Sequence, residues 1–305
     1  MVAFPIKGLK ISTDSNNVIT VSMTDAPVSE GEADGFKYYA HSRGTTVKDK
    51  FYIGAYEGYK DDNDRLRSLS GKANSAISIH YGLIYARNNS PASDGNGGSG
   101  YDPFAFYQLT FIQAMYILKY KNLNSQAVIG RGYVSGYTGT GNTNDKGMFY
   151  GSTTEYQIQV KCFGIEDLWG KSYDAISGIG TKNKRLYVAT QGFNDTGEGY
   201  SDTGVDVIST GWVYFSKTVG TTELGFIPKP VSEALNGSSS TYYGDLVIYS
   251  SDNAWHPGQH GGSGYNGNGS ENSYTYYSGL FCFTLDGSIN ETGGNAFVTS
   301  RIMYL

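Results

Sequence analysis

The sequence predicts an α+β domain in which short antiparallel strands, two short helices and long Gly/Ser/Asn-rich loops share one core. Three observations lead to this class. One segment after residue 100 has apolar residues at helical spacing, many other apolar segments are short, and 42 of the 305 residues are glycine. A chain of this length can bury a full hydrophobic core within one domain.

Residues 1–60 are predicted to be strands separated by loops rich in Gly, Asp and Ser. NNVITVSM and DKFYIGAYEGY alternate apolar and polar positions, which is typical of half-buried strands. KDDNDRLRS resembles a calcium loop only superficially, because Arg65 and Leu66 stand where ligands and glycine belong, so we expect a solvated turn. SPASDGNGGSGYD (90–102) is interpreted as a surface loop between a strand and the main helix, not as a domain linker.

The main helix is predicted within GYDPFAFYQLTFIQAMYILKYKN. Asp102 is a suitable N-cap and Pro103 fits the first helical position, where its missing N–H costs nothing. Helical spacing predicts one core-packed apolar stripe, formed by Phe104, Tyr107, Phe111, Met115 and Leu118. A second helical turn is expected across NLNSQAVIG, before the glycines of GRGYVSG.

From Glu155 onward the sequence is typical of β structure. TEYQIQVKCFGI, RLYVATQGF, DVISTGWVYF, YYGDLVIY, GLFCFTL and AFVTSRIMYL are predicted strands, separated by Gly/Ser/Asn/Asp loops. No period of 20–50 residues repeats, which argues against a solenoid or a propeller.

Composition and charge limit the kinds of molecule that this protein is expected to bind. Charged residues make up 17% of the chain and the formal net charge is −5, which argues against nucleic acid. No segment approaches the roughly 18 apolar residues of a membrane span, so no membrane insertion is expected. Cys162 and Cys282 lie in apolar segments and are predicted to be buried thiols, with a disulfide as the second interpretation.

Motifs for catalysis or cofactor binding are weak. His256 and His260 in HPGQH have i, i+4 spacing, but Pro257 and Gly258 disfavour the helix that would align them on a metal. No G-x-S-x-G elbow occurs, and GTGNTNDKG lacks the Lys-Ser/Thr end of a phosphate loop. We therefore expect no enzyme activity, no metal and no cofactor.

A recognition surface is better supported by the residues before the last strands. Residues 230–300 hold no Lys or Arg, and residues 250–278 combine one Trp and four Tyr with Ser, Asn and Gly. Tyr and Trp give large rigid contacts, whereas Ser, Asn and Gly give adaptable hydrogen bonds, and such a mixture also suits sugar rings. The alternative interpretation is a merely flexible surface loop.

Several segments resemble motifs of phage tail and minor structural proteins. GFKYYAHSRG, FYIGAYEGY and DRLRSLSG resemble the strands and turn that precede that family's helix, and FYQLTFIQAMYILKYKNLNSQAVIGRGYV is similar to the helix and its exit. GIEDLWGKSYDAISGI resembles the family's GIENLWGNxxEWxDGI core element. GGSGYNG, YSGLFCFTL and VTSRIMYL match its closing pattern in order.

The family is the C-type-lectin-like fold in its formylglycine-generating-enzyme-like branch. It includes phage receptor-binding proteins and variable proteins diversified by retroelements. The resemblance implies a C-type-lectin-like domain over residues 35–305, preceded by a strand and loop extension over residues 1–34. It also implies a binding face at about residues 245–280.

In the diversified members, hypervariable positions lie just before the final strands. Adenine-directed mutagenesis favours codons for Asn, Tyr, Ser, Asp, His and Gly, which are crowded here, so diversification of this chain is a hypothesis. The expected ligand-binding residues are Asn253, Trp255, His256, His260, Tyr265, Asn268, Asn272, Tyr274, Tyr276 and Tyr277.

The resemblance implies a non-catalytic virion protein of tail-fibre or receptor-binding type. Its expected partners are a host cell-surface protein or glycan and other virion proteins, and a homotrimer is a candidate because trimers occur in the family. The alternative is a structural head or tail decoration protein without a receptor. Because the chain begins close to the domain, we expect a small separate virion protein or a fragment.

Three departures from the family limit what is carried over. The sulfatase-activating enzymes use a reactive cysteine pair, whereas the one late cysteine here, Cys282, lies in an apolar segment. The EPN and WND signatures of calcium-dependent lectins are absent. Asp167 stands where the GIENLWG motif has asparagine, a change that a turn tolerates.

Overall fold

The structure is a computed structural model that describes residues 1–89, 100–134, 138–207, 211–229, 237–240, 243–250, 252–262, 278–286 and 298–305. Within these ranges it is a mixed α+β protein, mostly strands with four α-helices. The helices are α1 (Val28–Ala33), α2 (Ile79–Arg87), α3 (Phe106–Tyr120) and α4 (Ser125–Val128), with a 3-10 turn at Tyr39–His41.

The strands are short, as the alternating segments predict. The first ten are β1 (Val2–Pro5), β2 (Gly8–Thr13), β3 (Ile19–Thr24), β4 (Ser42–Arg43), β5 (Thr46–Val47), β6 (Lys50–Ile53), β7 (Gly58–Lys60), β8 (Leu66–Ser68), β9 (Tyr101–Pro103) and β10 (Lys161–Cys162). The others are β11 (Ile165–Glu166), β12 (Tyr173–Lys182), β13 (Arg185–Val188), β14 (Ser201–Asp206), β15 (Val213–Tyr214), β16 (Leu246–Tyr249), β17 (His256–His260), β18 (Phe283–Leu285), β19 (Val298–Thr299) and β20 (Ile302–Tyr304).

Two main sheets organise the chain. An antiparallel four-stranded sheet has the order β1-β6-β20-β9 and joins the first strand to the last. A mainly antiparallel eight-stranded sheet has the order β14-β13-β12-β17-β18-β16-β15, with β19 paired to β12. The β16–β18 and β12–β19 pairs of this sheet are parallel.

Helix α3 lies in the centre of the core. Ten of its residues are buried, around almost its whole circumference, and it is therefore not the one-sided amphipathic helix that the stripe predicted. Tyr107 and Phe111 are buried as expected, but Leu118 is 42% exposed. Phe4, Leu9 and Ile11 belong to the same buried cluster as α3, so residues 1–34 share the core of the remaining chain.

The predicted start of the main helix is wrong. Asp102 and Pro103 lie in β9, and α3 begins at Phe106. Asp102 is buried and accepts hydrogen bonds from Arg43 at 2.7 Å and Arg87 at 3.1 Å, so its carboxylate is occupied by two guanidinium groups rather than by a helix terminus. β9 is an edge strand, where proline is tolerated.

Other expectations are confirmed. The second helical turn is α4, where Asn124 caps the helix by accepting a hydrogen bond from the Ala127 N–H at 2.9 Å. Residues 61–64 form a turn held by Asp61, and HPGQH is a strand rather than a helix. Cys162 and Cys282 are buried thiols and not a disulfide.

Within the described residues, no helix is both long and apolar enough to cross a bilayer.

Candidate functional site

The Tyr/Asn/Ser-rich segment of the chain begins and ends at one point of the fold. The carbonyl of Gly261, directly after β17, accepts a hydrogen bond from the N–H of Gly279 at 3.1 Å. One residue outward on each side, Nε2 of His260 lies 2.8 Å from the carbonyl oxygen of Leu280. We call these four residues, His260, Gly261, Gly279 and Leu280, the junction. Both ends of the intervening segment are therefore fixed beside each other.

Buried polar groups from other elements hold the junction. Gln113 of α3 donates to the carbonyl of Leu280 at 2.8 Å, and the Leu280 N–H donates to Oγ of Ser125 in α4 at 2.9 Å. Asp245 accepts from the N–H of Phe281 at 2.8 Å. Burial raises the pKa of Asp245 to about 7, against the effect of the hydrogen bonds that it accepts.

A close crossing of two glycine segments supports the other side of the junction. The N–H of Gly170 donates to the carbonyl of Gly261 at 3.2 Å. Gly132 lies so close to Gly170 that a Cβ on Gly132 would be 2.9 Å from the Gly170 Cα. A Cβ on Gly170 would lie 2.2 Å from the carbonyl oxygen of Arg131. Only residues without side chains allow these backbones to cross here.

A buried ion pair lies next to the junction. Arg301 is fully buried, and its guanidinium contacts Asp174 Oδ2 at 3.0 Å, the Gly54 carbonyl at 3.1 Å and the Asp167 carbonyl at 2.9 Å. Asp174 is the register partner of His260 across the β12–β17 pair. Burial raises the pKa of Asp174 to about 6, while Arg301 lowers it. Arg301, between β19 and β20, therefore connects the C-terminal strands to β12, the strand that pairs with β17.

Further buried charges surround Asp167. Lys171 Nζ lies 2.7 Å from Glu57 Oε2 and 3.7 Å from Asp167 Oδ2. Burial and then the Glu57 charge raise the pKa of Asp167. Burial lowers the pKa of Lys171, but the two carboxylates outweigh it and raise the pKa overall. All three side chains are at most 3% exposed, which suits a structural network and not contact with a ligand.

Three of the predicted ligand-binding residues lie just before β17 or at its first position; two of them keep exposed surface, and His256 is buried. Asn253 is exposed and Trp255 is half-buried. The indole of Trp255 lies between Gly180 and Gly197, where a Cβ would come within 2.4 and 2.3 Å of the ring. Tyr200 packs edge-on at 5.3 Å. His256, the third, is 8% exposed and contacts Asp252 Oδ1 through Nε2 at 2.7 Å.

The prediction that His260 contacts a ligand is wrong. His260 is 0% exposed, because both faces of β17 are covered and all five of its residues are buried. Sequence alternation could not show this, since a strand covered on both faces has no exposed positions. The residue holds the junction instead. The remaining predicted residues, Tyr265, Asn268, Asn272, Tyr274, Tyr276 and Tyr277, lie outside the described residues.

No protein-family model matches this sequence, and no curated protein matches it. Among the residues that the structure describes, no group of three or more His, Cys, Asp or Glu side chains is arranged to hold a metal ion. The junction, the residues around it and the sequence motifs are therefore the features from which a function can be inferred.

Several residues that build the junction carry no strong signal in the sequence. Gln113, Ser125 and Asp245 stand in three separate segments, and only folding brings them to residues 280–281. Arg301, next to the junction, can be recognised from the sequence, because it is a single cation within the apolar C-terminal segment VTSRIMYL. A lone charge in a buried strand predicts a buried partner, although not which one.

The buried imidazole of His260 makes stability depend on pH. Burial lowers its pKa to about 4, from an ordinary value of about 6.5. The folded state therefore holds His260 neutral while the unfolded state takes up a proton below about pH 6.5, so this contribution is complete above pH 6.5 and is lost towards pH 4. Between pH 8 and pH 5, this effect should lower the unfolding free energy of the parent protein by about 2 kcal/mol. The His260→Gln variant should not show this part of the loss.

Urea unfolding at the two pH values measures this difference. Buried Asp174 and Asp245 have raised pKa values and act in the opposite direction, so the comparison between proteins is more informative than the slope of either one. Thr284→Ser on β18 is the control, because it is a buried change on the paired strand without a titrating group. An equal pH-dependent loss in the His260→Gln variant and the parent would contradict the assignment.

Proposed function

We propose that this chain is a non-catalytic attachment protein of a phage particle that presents residues 263–277 to a ligand on the host cell surface. The observation that carries the proposal is the hydrogen bond of 3.1 Å between Gly279 and Gly261, which brings both ends of that segment to one buried point. Attachment loops need such anchoring, because a rigid base lowers the entropy lost when the loop binds.

The residues that hold the two ends of the segment in place lie outside it. Gln113, Ser125 and Asp245 bind residues 280–281, and Gly170 binds Gly261. None of these hydrogen bonds uses a side chain from residues 263–277. The segment can therefore change in sequence while these bonds remain, which supports the hypothesis that it is diversified.

The chemistry of the segment suits contact with another molecule. Its sequence is SGYNGNGSENSYTYY, with four tyrosines, three asparagines and serines in each half, and no Lys or Arg. Tyrosine offers rigid contact area at low entropic cost, and asparagine and serine form hydrogen bonds with sugars or peptide groups. Several copies on one particle would raise weak single-site affinity by multivalency.

We further propose the C-type-lectin-like fold of the formylglycine-generating-enzyme-like branch. Its support is that separate quoted motifs meet at one place. Gly132 of IGRG lies against Gly170 of LWG, Gly170 binds Gly261 of the closing GGS, and Arg301 of SRI binds the Asp167 carbonyl. Motifs that were recognised independently along the chain are thus mutual neighbours in space.

The thiols favour a non-catalytic role within this branch. Burial raises the pKa of both Cys162 and Cys282, and both are 0% exposed. A reactive thiol has to reach its substrate and ionise near neutral pH. Chemistry of the formylglycine-generating type is therefore not proposed for this chain.

Adhesion of a fluorescent, tetramerised form of the chain to a panel of bacterial strains tests the proposal. We expect adhesion to a subset of strains and its loss, by at least about tenfold, when Tyr274, Tyr276 and Tyr277 are changed together to Ala, since aromatic anchors dominate interfaces. The unfolding midpoint should stay close to that of the parent protein.

Tyr304→Ala is the matched control. Tyr304 is 38% exposed and packs against Tyr101 in the four-stranded sheet, so it also removes a partly exposed tyrosine. Adhesion should survive this change. Undiminished adhesion of the triple variant would refute the proposed site, and a protein that binds no strain but coats the particle in electron micrographs would be a decoration protein.

A further inference from the structure

A cleft opens between the β2–β3 hairpin and the C-terminal end of α3, and none of the four junction residues lines it. Its volume is about 800 Å³, within the roughly 300–1,000 Å³ of typical ligand sites. Its buried lining residues, Ser216, Thr218 and Tyr243, form its inner end. A groove of this size between a hairpin, a helix end and an extended segment can hold a molecule of a few rings.

The floor of the cleft is apolar. Ile19 and Val21 of β3 face it from one side, and Leu118 and Leu123 from the other. Leu118 is 42% exposed although ten of the fifteen residues of α3 are buried. An exposed leucine beside a partly buried one gives a surface that the C–H face of a ring can cover.

The rim of the cleft is polar and carries positive charge. Lys121 and Lys217 line it, together with Asn16, Asn17 and Asn122. No Asp or Glu is among its described lining residues, although the whole chain has a net charge of −5. Neither lysine forms an ion pair with another described residue, so both ammonium groups can receive an anion.

The inner end of the cleft offers hydroxyl groups. Tyr243 and Thr218 share a hydrogen bond of 2.9 Å between their hydroxyl oxygens, and both are buried. The amide oxygen of Asn122 accepts a hydrogen bond from the Asn124 N–H at 2.8 Å. That bond orients the Asn122 amide at the rim.

We propose that this cleft binds an acidic oligosaccharide, with its carboxylates at Lys121 and Lys217. A hexuronate unit combines the three features that the cleft matches: a carboxylate, several hydroxyls for amide and hydroxyl partners, and an apolar C–H face for Leu118 and Leu123. A purely apolar ligand would leave the lysines and asparagines unmatched, and a small anion would leave the apolar floor uncovered. None of the described lining residues belongs to the junction, and the substitutions that test the cleft lie outside residues 263–277, so the two proposals can fail separately.

Isothermal titration with digalacturonate, the neutral disaccharide galactobiose and inorganic phosphate tests this inference. We expect digalacturonate to bind, galactobiose to bind at least about tenfold more weakly, and the affinity for digalacturonate to fall with added salt. Changing Lys121 and Lys217 together to Met should reduce digalacturonate affinity by about tenfold or more, and Leu118→Asp should reduce it as well.

Lys72→Met is the matched control, because Lys72 lies over the ring of Tyr59 and outside the cleft. It should bind digalacturonate like the parent protein. Absence of digalacturonate binding, equal affinity for galactobiose, or unchanged affinity in the double lysine variant would each overturn the proposal. Displacement of digalacturonate by phosphate at equal concentration would also overturn it, since a simple anion site needs no saccharide.

Discussion

Arg301→Met is expected to lower the unfolding free energy by about 3–5 kcal/mol, the usual effect of removing one partner from a buried ion pair. Arg301 is 0% exposed and makes three hydrogen bonds: to the carboxylate of Asp174 and to the carbonyls of Gly54 and Asp167. Methionine fills a similar volume but satisfies none of these acceptors. The expected loss of unfolding free energy therefore comes from polar groups left without a partner, and not from a cavity.

The carboxylate of Asp174 bears most of this cost. It is 2% exposed and already has a pKa raised to about 6 by burial, with Arg301 as the main opposing charge. Without Arg301 its pKa should rise further, so the variant should lose less stability at pH 5 than at pH 8. Urea unfolding at both values measures the difference.

A double-mutant cycle separates the pair from its surroundings. Asp174→Asn in the Arg301→Met background should cost less than in the parent protein, because the unpaired charge is then absent. Lys72→Met, a change of a surface cation, serves as the control and should cost below about 1 kcal/mol. Additive effects of the two buried substitutions would contradict a coupled ion pair.

Part of the fold could be predicted from the sequence, because in those elements the pattern of apolar residues matches the pattern of buried positions. Alternation identified β3, β6 and β13, and the apolar surroundings of Cys162 and Cys282 identified two buried thiols. Such elements have one face on the core and one towards solvent, and that asymmetry is what periodicity detects.

The elements that were missed lack this asymmetry. β12, the longest strand, is buried at nine of its ten positions, so its segment YDAISGIGTK shows no alternation. α2 is rich in aromatic and β-branched residues and contains Gly82, which favoured a strand over a helix. Tertiary packing determines the conformation of this segment instead. A Cβ on Gly82 would lie 2.2 Å from Ser300 Oγ, so the close approach of α2 to the C-terminal segment requires that glycine.

The candidate site was predictable only in composition. Residues 250–278 were identified by their aromatic and amide content, but His260 was placed with the ligand-binding residues although it is buried. Polarity in a sequence does not distinguish a histidine that contacts a ligand from one that closes a buried hydrogen bond to Leu280. That distinction depends on the position of β17 in the sheet.

Gly170→Ala is expected to destabilise the protein by about 2–5 kcal/mol, as the sum of two separate penalties. Gly170 has a φ of +97°, a conformation that costs an L-residue roughly 1–2 kcal/mol. The new Cβ would also lie 2.2 Å from the Arg131 carbonyl oxygen, a backbone atom that cannot rotate away, and such overpacking costs roughly 1–3 kcal/mol.

The substitution should also weaken attachment, because the Gly170 N–H holds Gly261 at the junction. Gly147→Ala is the matched control: a Cβ there meets nothing within 4 Å and its φ is not positive, so stability should be unchanged or rise by about 0.4–1 kcal/mol. Urea unfolding and adhesion of the tetramerised chain measure both effects. Equal stability of the two variants would mean that the Gly132–Gly170 crossing is not tight. The junction would then lack the rigid support that the attachment proposal requires.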